Sequence, residues 1–160
     1  MRKIALRNRH GEVARWALVD DEDFDRFGHL PWYWGGEYVQ RQAVRDGRRT
    51  TIRLHREIMG LVSGDRREVD HESRDRLDNQ RSNLRVVPGQ AANKQNVGPR
   101  GGASGHRGVY WAEWAKKWRA SVHRSTGHVH LGYFNDKQEA QRVVAEWRAA
   151  NMPYSVEGSA

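Results

Sequence analysis

The residues best suited to chemistry lie between positions 67 and 96. An acid and an imidazole stand side by side at Asp70 and His71, and the stretch 77–85 reads LDNQRSNLR. Histidine has an ordinary pKa of about 6.5, so its neutral form can accept a proton at physiological pH. Carboxylate and amide oxygens bind hard cations such as Mg²⁺. This stretch therefore combines a candidate base with candidate metal ligands.

Taken singly, these residues also have ordinary structural explanations. Asp70 can cap a turn, and Asn93 can be a solvated helix position. Asn79 and Asn83 can form Asx turns. The motifs VDH, LDNQRSNLR and NKQN in this order are far more specific than a histidine near an asparagine. The functional interpretation depends on their combination.

Two predicted strands, 67–71 and 84–87, flank the polar loop and run into a short helix that carries NKQN. With the motifs above, this segment resembles the HNH endonucleases, whose fold is a ββα-metal unit. The resemblance implies a DH pair at a strand end, an asparagine in the loop or second strand, and an asparagine or histidine on the helix. It also implies hydrolysis of a phosphodiester bond.

The resemblance implies a role for each motif residue. His71 would be the general base that deprotonates water, and Asp70 and Asn93 would hold one divalent ion, Mg²⁺ or Mn²⁺. The interval from Asn83 to Asn93 is one residue longer than the family spacing, which leaves Asn96 as the alternative metal ligand. Neighbouring strand residues point to opposite faces, so a strand-end distortion or side-chain reach must bring the acid and the imidazole to one phosphate.

Three further residues accompany this site. Asn83 matches the family's central asparagine and would orient the imidazole through a hydrogen bond, with Asn79 as the competing candidate. His55 lies in the sequence LHREIMG, which resembles a segment that precedes such nuclease motifs. For His55 a packing or phosphate-contact role is favoured over catalysis.

The C-terminal third predicts a small sheet backed by one helix. Three short strands are expected at 109–111, 118–123 and 128–133, with apolar residues alternating with polar and basic ones along the second. A helix follows, with Asn135 as its expected cap and Pro153 beyond its end. Its buried stripe has helical spacing and consists of Ala140, Val143, Val144 and Trp147.

Residues 105–152 resemble the plant ethylene-response-factor DNA-binding domain, the AP-two fold, on the segments GHRGVYW, KWRA and HLGYF. The resemblance implies that the three-stranded sheet enters the major groove of double-stranded DNA. The DNA-contacting positions it implies in this chain are Arg107, Tyr110, His123, His128 and His130, and Arg119 of the predicted sheet is a further candidate DNA contact. Neutral histidine lacks the bidentate fork of arginine, so the plant base preference does not carry over.

The N-terminal region is predicted to be rich in β-structure, with strands at 13–19, 33–34, 38–42 and 50–54. The acidic run Asp20 to Asp23 is typical of a helix N-terminus, which is favoured over a metal site. A basic group surrounds a predicted hairpin and consists of Arg41, Arg45, Arg48, Arg49, Arg53 and Arg56. This group is either a phosphate-contacting surface or a charged edge strand. Arg53 and Arg85 are the further candidate DNA contacts.

Composition limits the alternatives. The 160 residues carry a net charge of +8 and include no cysteine, which excludes a disulfide framework, a thiol nucleophile and a zinc staple built on thiolates. No apolar run reaches the roughly 20 residues of a membrane span. We therefore expect a bacterial cytoplasmic protein that binds a polyanion and not a membrane. It is expected to be a monomer or a weak dimer.

The expected fold class is α+β. The expected regions are a β-rich region 1–54, an HNH unit 55–97, a Gly-rich linker 98–105 and an AP-two-like domain 106–160. The combination is similar to homing-type HNH nucleases of phages or bacteria and implies a metal-dependent endonuclease for double-stranded DNA. The alternative is a DNA-binding regulator with a vestigial nuclease centre. An RNA nuclease is disfavoured because the A-form major groove does not admit such a sheet.

Overall fold

The computed structural model describes residues 1–45, 47–97, 104–124 and 126–156. Over these residues the fold is mixed α+β, with mostly antiparallel sheets and four α-helices. The α+β class predicted from the sequence is thereby confirmed. Among the described helices, none has the length and apolar character needed to cross a membrane.

Short strands dominate the described part of the chain. In chain order they are β1 (Arg2–Arg7), β2 (Val13–Val19), β3 (Tyr33–Trp34), β4 (Val39–Arg45), β5 (Arg48–Arg53), β6 (Glu68–His71), β7 (Leu84–Val87), β8 (Val109–Ala112), β9 (Lys117–Arg124) and β10 (Gly127–Phe134). The helices are α1 (Asp21–Phe27), α2 (Leu54–Ile58), α3 (Gln90–Asn93) and α4 (Lys137–Asn151), and a short 3-10 helix covers Arg81–Asn83. The antiparallel sheets have the orders β1-β2, β3-β4-β5, β6-β7 and β10-β9-β8.

The chain divides into two compact units, Met1–Asn93 and Lys94–Ala160. The predicted regions 1–54 and 55–97 contribute to one hydrophobic core in the first unit, which extends from β1 to β7. Of the predicted linker, residues 98–103 lie outside the described residues. The helix that carries Asn93 is short, and it packs against β6 and β7.

The first core follows from alternation along the strands. In β1 the buried side chains of Ile4 and Leu6 alternate with residues that are exposed or only partly covered, as a strand with one face on a core requires. β2 contributes Ala17 and Val19, and β6 contributes Val69 to the same core. The core therefore fixes the face of β6 on which residue 71 also lies.

The second unit is a three-stranded antiparallel sheet with α4 packed against it. Its core contains Val109, Ala120, Val122, Ala140 and Val144. Most of the predicted stripe of α4 packs on this core, but the helix begins later than predicted. Its cap is Asp136 rather than Asn135.

The cap differs because Asp136 Oδ2 accepts a 2.8 Å hydrogen bond from the Glu139 backbone N–H, three residues into the helix. The acidic side chain also lies at the positive end of the helix dipole, which favours a carboxylate over an amide. At the start of β8 the backbone approaches β9 closely, because the Ser121 N–H donates to the Gly108 carbonyl at 2.9 Å. A side chain at Gly108 would overlap the Ser121 carbonyl, and the φ of +86° also favours glycine there.

Candidate functional site

Asp70 and His71 lie at the C-terminal end of β6, opposite Arg85 and Leu84 of β7. Both side chains are almost fully buried, with exposed fractions of 6% and 4%. His71 follows Val69 by two residues and so shares its face, whereas Asp70 lies on the other face of the strand. The predicted DH pair is therefore positioned by the hydrophobic core on one face and by cross-strand pairing on the other.

The loop after β6 is closed by Asn83. Its Oδ1 accepts from the Ser73 N–H at 2.8 Å, and its Nδ2 donates to the Asp78 carbonyl at 2.7 Å. The Asn83 carbonyl accepts from the Glu72 N–H at 2.8 Å. Asn83 was expected to orient the imidazole, but its side-chain hydrogen bonds are all to loop backbone, because both ends of its amide satisfy groups within the loop.

Asn79, the competing candidate, contacts the ring instead. Its Oδ1 lies 3.4 Å from Nε2 of His71. The Nδ2 of Asn79 donates to the carbonyls of Arg76 and Leu77, both at 3.2 Å, which fixes the amide with its oxygen toward the ring. An amide oxygen accepts only, so the neutral ring places its proton on Nε2 and Nδ1 becomes the nitrogen that can accept another.

Burial lowers the pKa of His71 below its usual value of 6.5, because the charged ring would lose its hydration. The contact with Asn79 and the carboxylate of Asp70 raise the pKa, and the guanidinium of Arg76 lowers it. The net direction is downward. The ring is therefore neutral at physiological pH and in the form that can act as a base.

Asp70 is held by Arg85 across the β6–β7 pair. The Nη2 and Nε atoms of Arg85 lie 2.7 and 2.9 Å from Oδ2 of Asp70, and its Nη1 lies 3.3 Å from Glu72. Arg85 was predicted to contact DNA, and in this arrangement its guanidinium is engaged by carboxylates of the same unit. A metal ion at Asp70 would share that carboxylate with Arg85.

The oxygen donors near this strand pair fit a hard cation better than a soft one. Asp70 offers a carboxylate and Asn93, on the helix that packs against β6 and β7, offers an amide oxygen. The alternative ligand, Asn96, is buried. In the described part of the chain no group of three or more His, Cys, Asp or Glu side chains could hold a metal ion. A cation here would need ligands from water and substrate.

Two residues beside His71, namely His55 and Tyr38, were not predicted to contact its ring. The ring of His55 lies edge-on to that of His71, with 5.1 Å between centroids, and the Tyr38 ring lies 4.8 Å from His55 and 6.3 Å from His71. His55 was expected to pack or to contact phosphate, and it is 1% exposed. Tyr38 directly precedes β4 and is distant from both histidines along the chain, so no local spacing connects it to them.

The acidic run at the start of α1 has a specific partner. Asp23 is fully buried and accepts two 2.8 Å hydrogen bonds from the guanidinium of Arg81, while Asp20 accepts from the Arg81 backbone N–H at 2.8 Å. Neither the helix dipole nor a metal is needed to explain these two carboxylates. They connect α1 to the loop that carries Asn79 and Asn83.

The predicted DNA-contacting residues of the C-terminal sheet share one face. Tyr110, Arg119 and Tyr133 lie directly opposite one another on β8, β9 and β10. His123 and His128 also face each other across strands, with ring centroids 4.6 Å apart. The predicted contacts on this face are all exposed, and they are Tyr110, Arg119, His123, His128 and His130.

Arg107 differs from the other predicted DNA contacts. Its Nη1 donates to the backbone carbonyls of Gln95 and Val97, at 2.8 and 2.7 Å. These bonds join residues 95–97 to the start of the three-stranded sheet, so the role of Arg107 in this structure is structural. Arg53, by contrast, is exposed and lies over the Tyr38 ring at 4.8 Å.

No protein-family model matches the chain, and no curated protein or solved structure matches it significantly. What the site can do must therefore be inferred from its own side chains. The contacts around His71 and the exposed face of the C-terminal sheet provide that evidence.

Proposed function

We propose that the chain is a metal-dependent DNA endonuclease of the HNH type, with His71 as its general base. The observation that carries the proposal is the contact between Nε2 of the buried His71 and the fixed amide oxygen of Asn79. A ring held in this way presents Nδ1 as its basic nitrogen. Burial keeps it neutral, so it can take the proton of an attacking water.

Cleavage of a phosphodiester also needs stabilisation of the charge that develops on the phosphate and on the leaving oxygen. Asp70 and Asn93 would hold one Mg²⁺ or Mn²⁺ ion, which would supply a Lewis acid at the 3′ oxygen. With only two donors from the chain, affinity for the ion would be low until DNA contributes its own oxygens. The products would be 5′-phosphate and 3′-hydroxyl ends.

In this proposal β6, β7 and α3 are the ββα-metal unit. The supporting features are the antiparallel pairing of the two strands, the position of the DH pair at the end of the first strand, and the packing of α3 on both. The same proposal treats β8, β9, β10 and α4 as an AP-two-like DNA-binding domain. Its support is the order β10-β9-β8 with the helix packed against the sheet.

Double-stranded DNA is the proposed substrate. The exposed sheet face combines Arg119 with aromatic and imidazole side chains, which suits contact with phosphates and base edges in a wide groove. The net charge of +8 favours a polyanion. We propose action in the cytoplasm of a bacterial host, as a monomer or weak dimer, in a homing-type role.

One observation favours a second candidate function, a DNA-binding regulator with a vestigial nuclease centre. The guanidinium of Arg85 donates two hydrogen bonds to the same oxygen of Asp70. A carboxylate held in such a pair is a weaker ligand for a cation than one that faces solvent. The two candidates differ only in whether the centre still cleaves DNA.

Incubation of the purified protein with supercoiled plasmid, in Mg²⁺ or in EDTA, tests the proposal. We expect nicked circles with Mg²⁺ only, and His71→Ala should lower the nicking rate by at least about 100-fold. DNA binding in metal-free buffer should be unchanged in this variant. His29→Ala, which alters an exposed histidine of the same unit, is the matched control and should cut normally. Binding without any nicking by the wild type would instead favour the regulator.

A further inference from the structure

We propose that Arg53 and Arg76, both stacked on Tyr38, form a phosphate clamp that binds a backbone phosphate of DNA beside His71. The proposal rests on the proposed nuclease function and adds the substrate contacts nearest the base. It involves no metal ligand. The phosphate clamp means these three residues, Arg53, Arg76 and Tyr38, throughout.

The geometry brings two cations to one ring. The guanidinium carbons of Arg53 and Arg76 lie 4.8 and 4.5 Å from the centroid of the Tyr38 ring. That ring is also 6.3 Å from the ring of His71, at an interplanar angle of 29°. Residues from three separate segments therefore converge at the proposed base. Stacking on an aromatic face holds a guanidinium in place without using its hydrogen-bond donors.

A charge inventory distinguishes Arg53 from its neighbours. In the predicted basic group, Arg41 and Arg45 are paired with Glu57, at 2.9 and 3.8 Å. Arg56 donates to two backbone carbonyls and lies 3.6 Å from Glu68. Arg53 makes no ion pair within the described residues. Within this group, Arg53 is the arginine that acts on the histidines and has no carboxylate partner among the described residues.

Arg76 has a single, exposed carboxylate partner among the described residues. Its Nη1 is 3.4 Å from Glu37, and both side chains are substantially exposed. Exposed pairs of this kind contribute little to stability, so a phosphate can displace the carboxylate at little cost. The Arg76 guanidinium is therefore available to an anionic ligand. Its five donors in a planar fork match the oxygens of a phosphate.

The surroundings of His55 indicate that this region is suited to an anion. Its Nδ1 is buried and has no hydrogen-bond partner in the described part of the chain. Burial is the largest cause that lowers its pKa, and His71, Arg53, Arg56 and Arg76 lower it further. The guanidinium groups among these create a positive field around a neutral ring, which favours a ligand that brings negative charge. A phosphodiester of DNA is the ligand of that kind which the proposed reaction supplies.

The test compares Arg53→Gln and Arg76→Gln with Arg9→Gln, a control at an exposed arginine of the same unit that lies outside the basic group. Two measurements are made on the full chain. The first is single-turnover nicking of supercoiled plasmid with Mg²⁺. The second, in metal-free buffer, is the shift of the His55 and His71 ring resonances in NMR spectra when inorganic phosphate or a short DNA duplex is added.

Each clamp variant should nick about 10- to 100-fold more slowly, the loss typical of one charged hydrogen-bonding group, and should lose the phosphate-induced shifts. Arg9→Gln should match the wild type in both measurements. Arg76→Lys keeps the charge but loses the planar fork of donors, so its nicking rate should lie between those of the wild type and Arg76→Gln. Wild-type nicking and shifts that persist in both Gln variants would overturn the clamp while leaving the nuclease proposal intact.

The converse outcome separates the two proposals. If the wild type does not nick DNA, but phosphate shifts the two ring resonances only when Arg53 and Arg76 are present, the clamp stands and the nuclease proposal fails. Tyr38→Leu removes the ring and should resemble the arginine variants, whereas Tyr38→Phe keeps the ring and should retain more activity than Tyr38→Leu. Equal activity in Tyr38→Leu and Tyr38→Phe would contradict the role of the ring.

Discussion

At the scale of single residues, the two asparagines of the loop between β6 and β7 have different tasks. Asn79 fixes its own amide on two carbonyls and directs its oxygen to His71. Asn83 closes the loop by bonding to backbone on both of its sides. Both are buried and both are amides, so the difference lies in what each one contacts. Each can be tested by removal of its side chain.

Asn79→Ala should slow nicking by about 10- to 100-fold and should release the Nε2 tautomer of His71, because the acceptor that selects it is lost. Asn83→Ala should lower the free energy of unfolding by about 1–3 kcal/mol, because loop backbone groups lose their partners. The ¹⁵N shifts of the His71 ring report the tautomer, and urea unfolding reports stability. If the tautomer of His71 is unchanged in Asn79→Ala, a group other than Asn79 selects it.

The buried imidazoles also predict how stability depends on pH. Burial, then the positive charges of neighbouring groups, hold the pKa of His55 well below 6.5, whereas the unfolded chain keeps the ordinary value. Below about pH 6.5 the unfolded state takes up a proton that the folded state does not. The stabilisation is therefore complete above that pH and is lost as the pH falls toward the depressed pKa.

The expected slope is up to about 1.4 kcal/mol per pH unit for each such histidine. His55→Phe keeps a ring in the space but removes one titrating group, so its stability should depend less on pH than that of the wild type. Urea unfolding between about pH 5 and 8 measures both proteins. Parallel curves for the two would show that His55 does not contribute.

At the scale of elements, the loop that carries the site is braced from outside. The Leu18 N–H donates to the Leu77 carbonyl, and the Asn79 N–H donates to the Leu18 carbonyl, both at 2.8 Å, which joins the loop to β2. Arg81 joins it to α1 through Asp20 and Asp23. The β6–β7 pair holds the two ends of the loop, and the contacts with β2 and α1 hold its middle.

Arg81→Ala should lower the free energy of unfolding by about 2–4 kcal/mol, because Asp23 is fully buried and would lose the two hydrogen bonds that the guanidinium donates to it. Asp25→Ala, at an exposed ion pair with Arg2, is the control and should cost no more than about 1 kcal/mol. Chemical denaturation measures both changes. A cost for Arg81→Ala as small as that of the control would show that the loop does not depend on α1.

At the scale of the whole molecule, the chain forms two compact units. Each unit has a hydrophobic core of its own. The proposed chemistry belongs to Met1–Asn93, and the exposed sheet face belongs to Lys94–Ala160. If the proposed function holds, catalysis and groove binding can be altered separately, and the net charge of +8 should favour both through contacts with phosphates.

DNA binding by the full chain in metal-free buffer should weaken steeply as salt rises, with a slope of log K against log salt near −0.9 per contacted phosphate. Arg119→Ala, on the exposed sheet face, should reduce that slope by about 1. Arg142→Ala is the control, because Arg142 lies on α4 and is paired with Glu146 at 3.4 Å. A salt-independent affinity for the wild type would contradict phosphate contact by either unit.

The sequence alone was sufficient for features that depend on local pattern. The strands predicted at 13–19, 84–87 and 118–123 lie at or within one or two residues of their observed limits. Apolar runs, the alternation along 118–123 and turn signals are local properties of the sequence. The apolar stripe of α4 was predicted for the same reason. β1 was missed because Ile4 and Leu6 stand among charges, and only the core they enter identifies them as buried.

Only the tertiary structure decided which side chains meet. Asn79 and Asn83 have the same chemistry and lie in the same loop, so spacing could not say which one contacts His71. Tyr38, His55 and Arg76 come from separate segments, and Arg81 finds Asp23 far away in the sequence. Such contacts are selected by core packing and by the need to satisfy buried polar groups, and both requirements act between segments rather than along the chain.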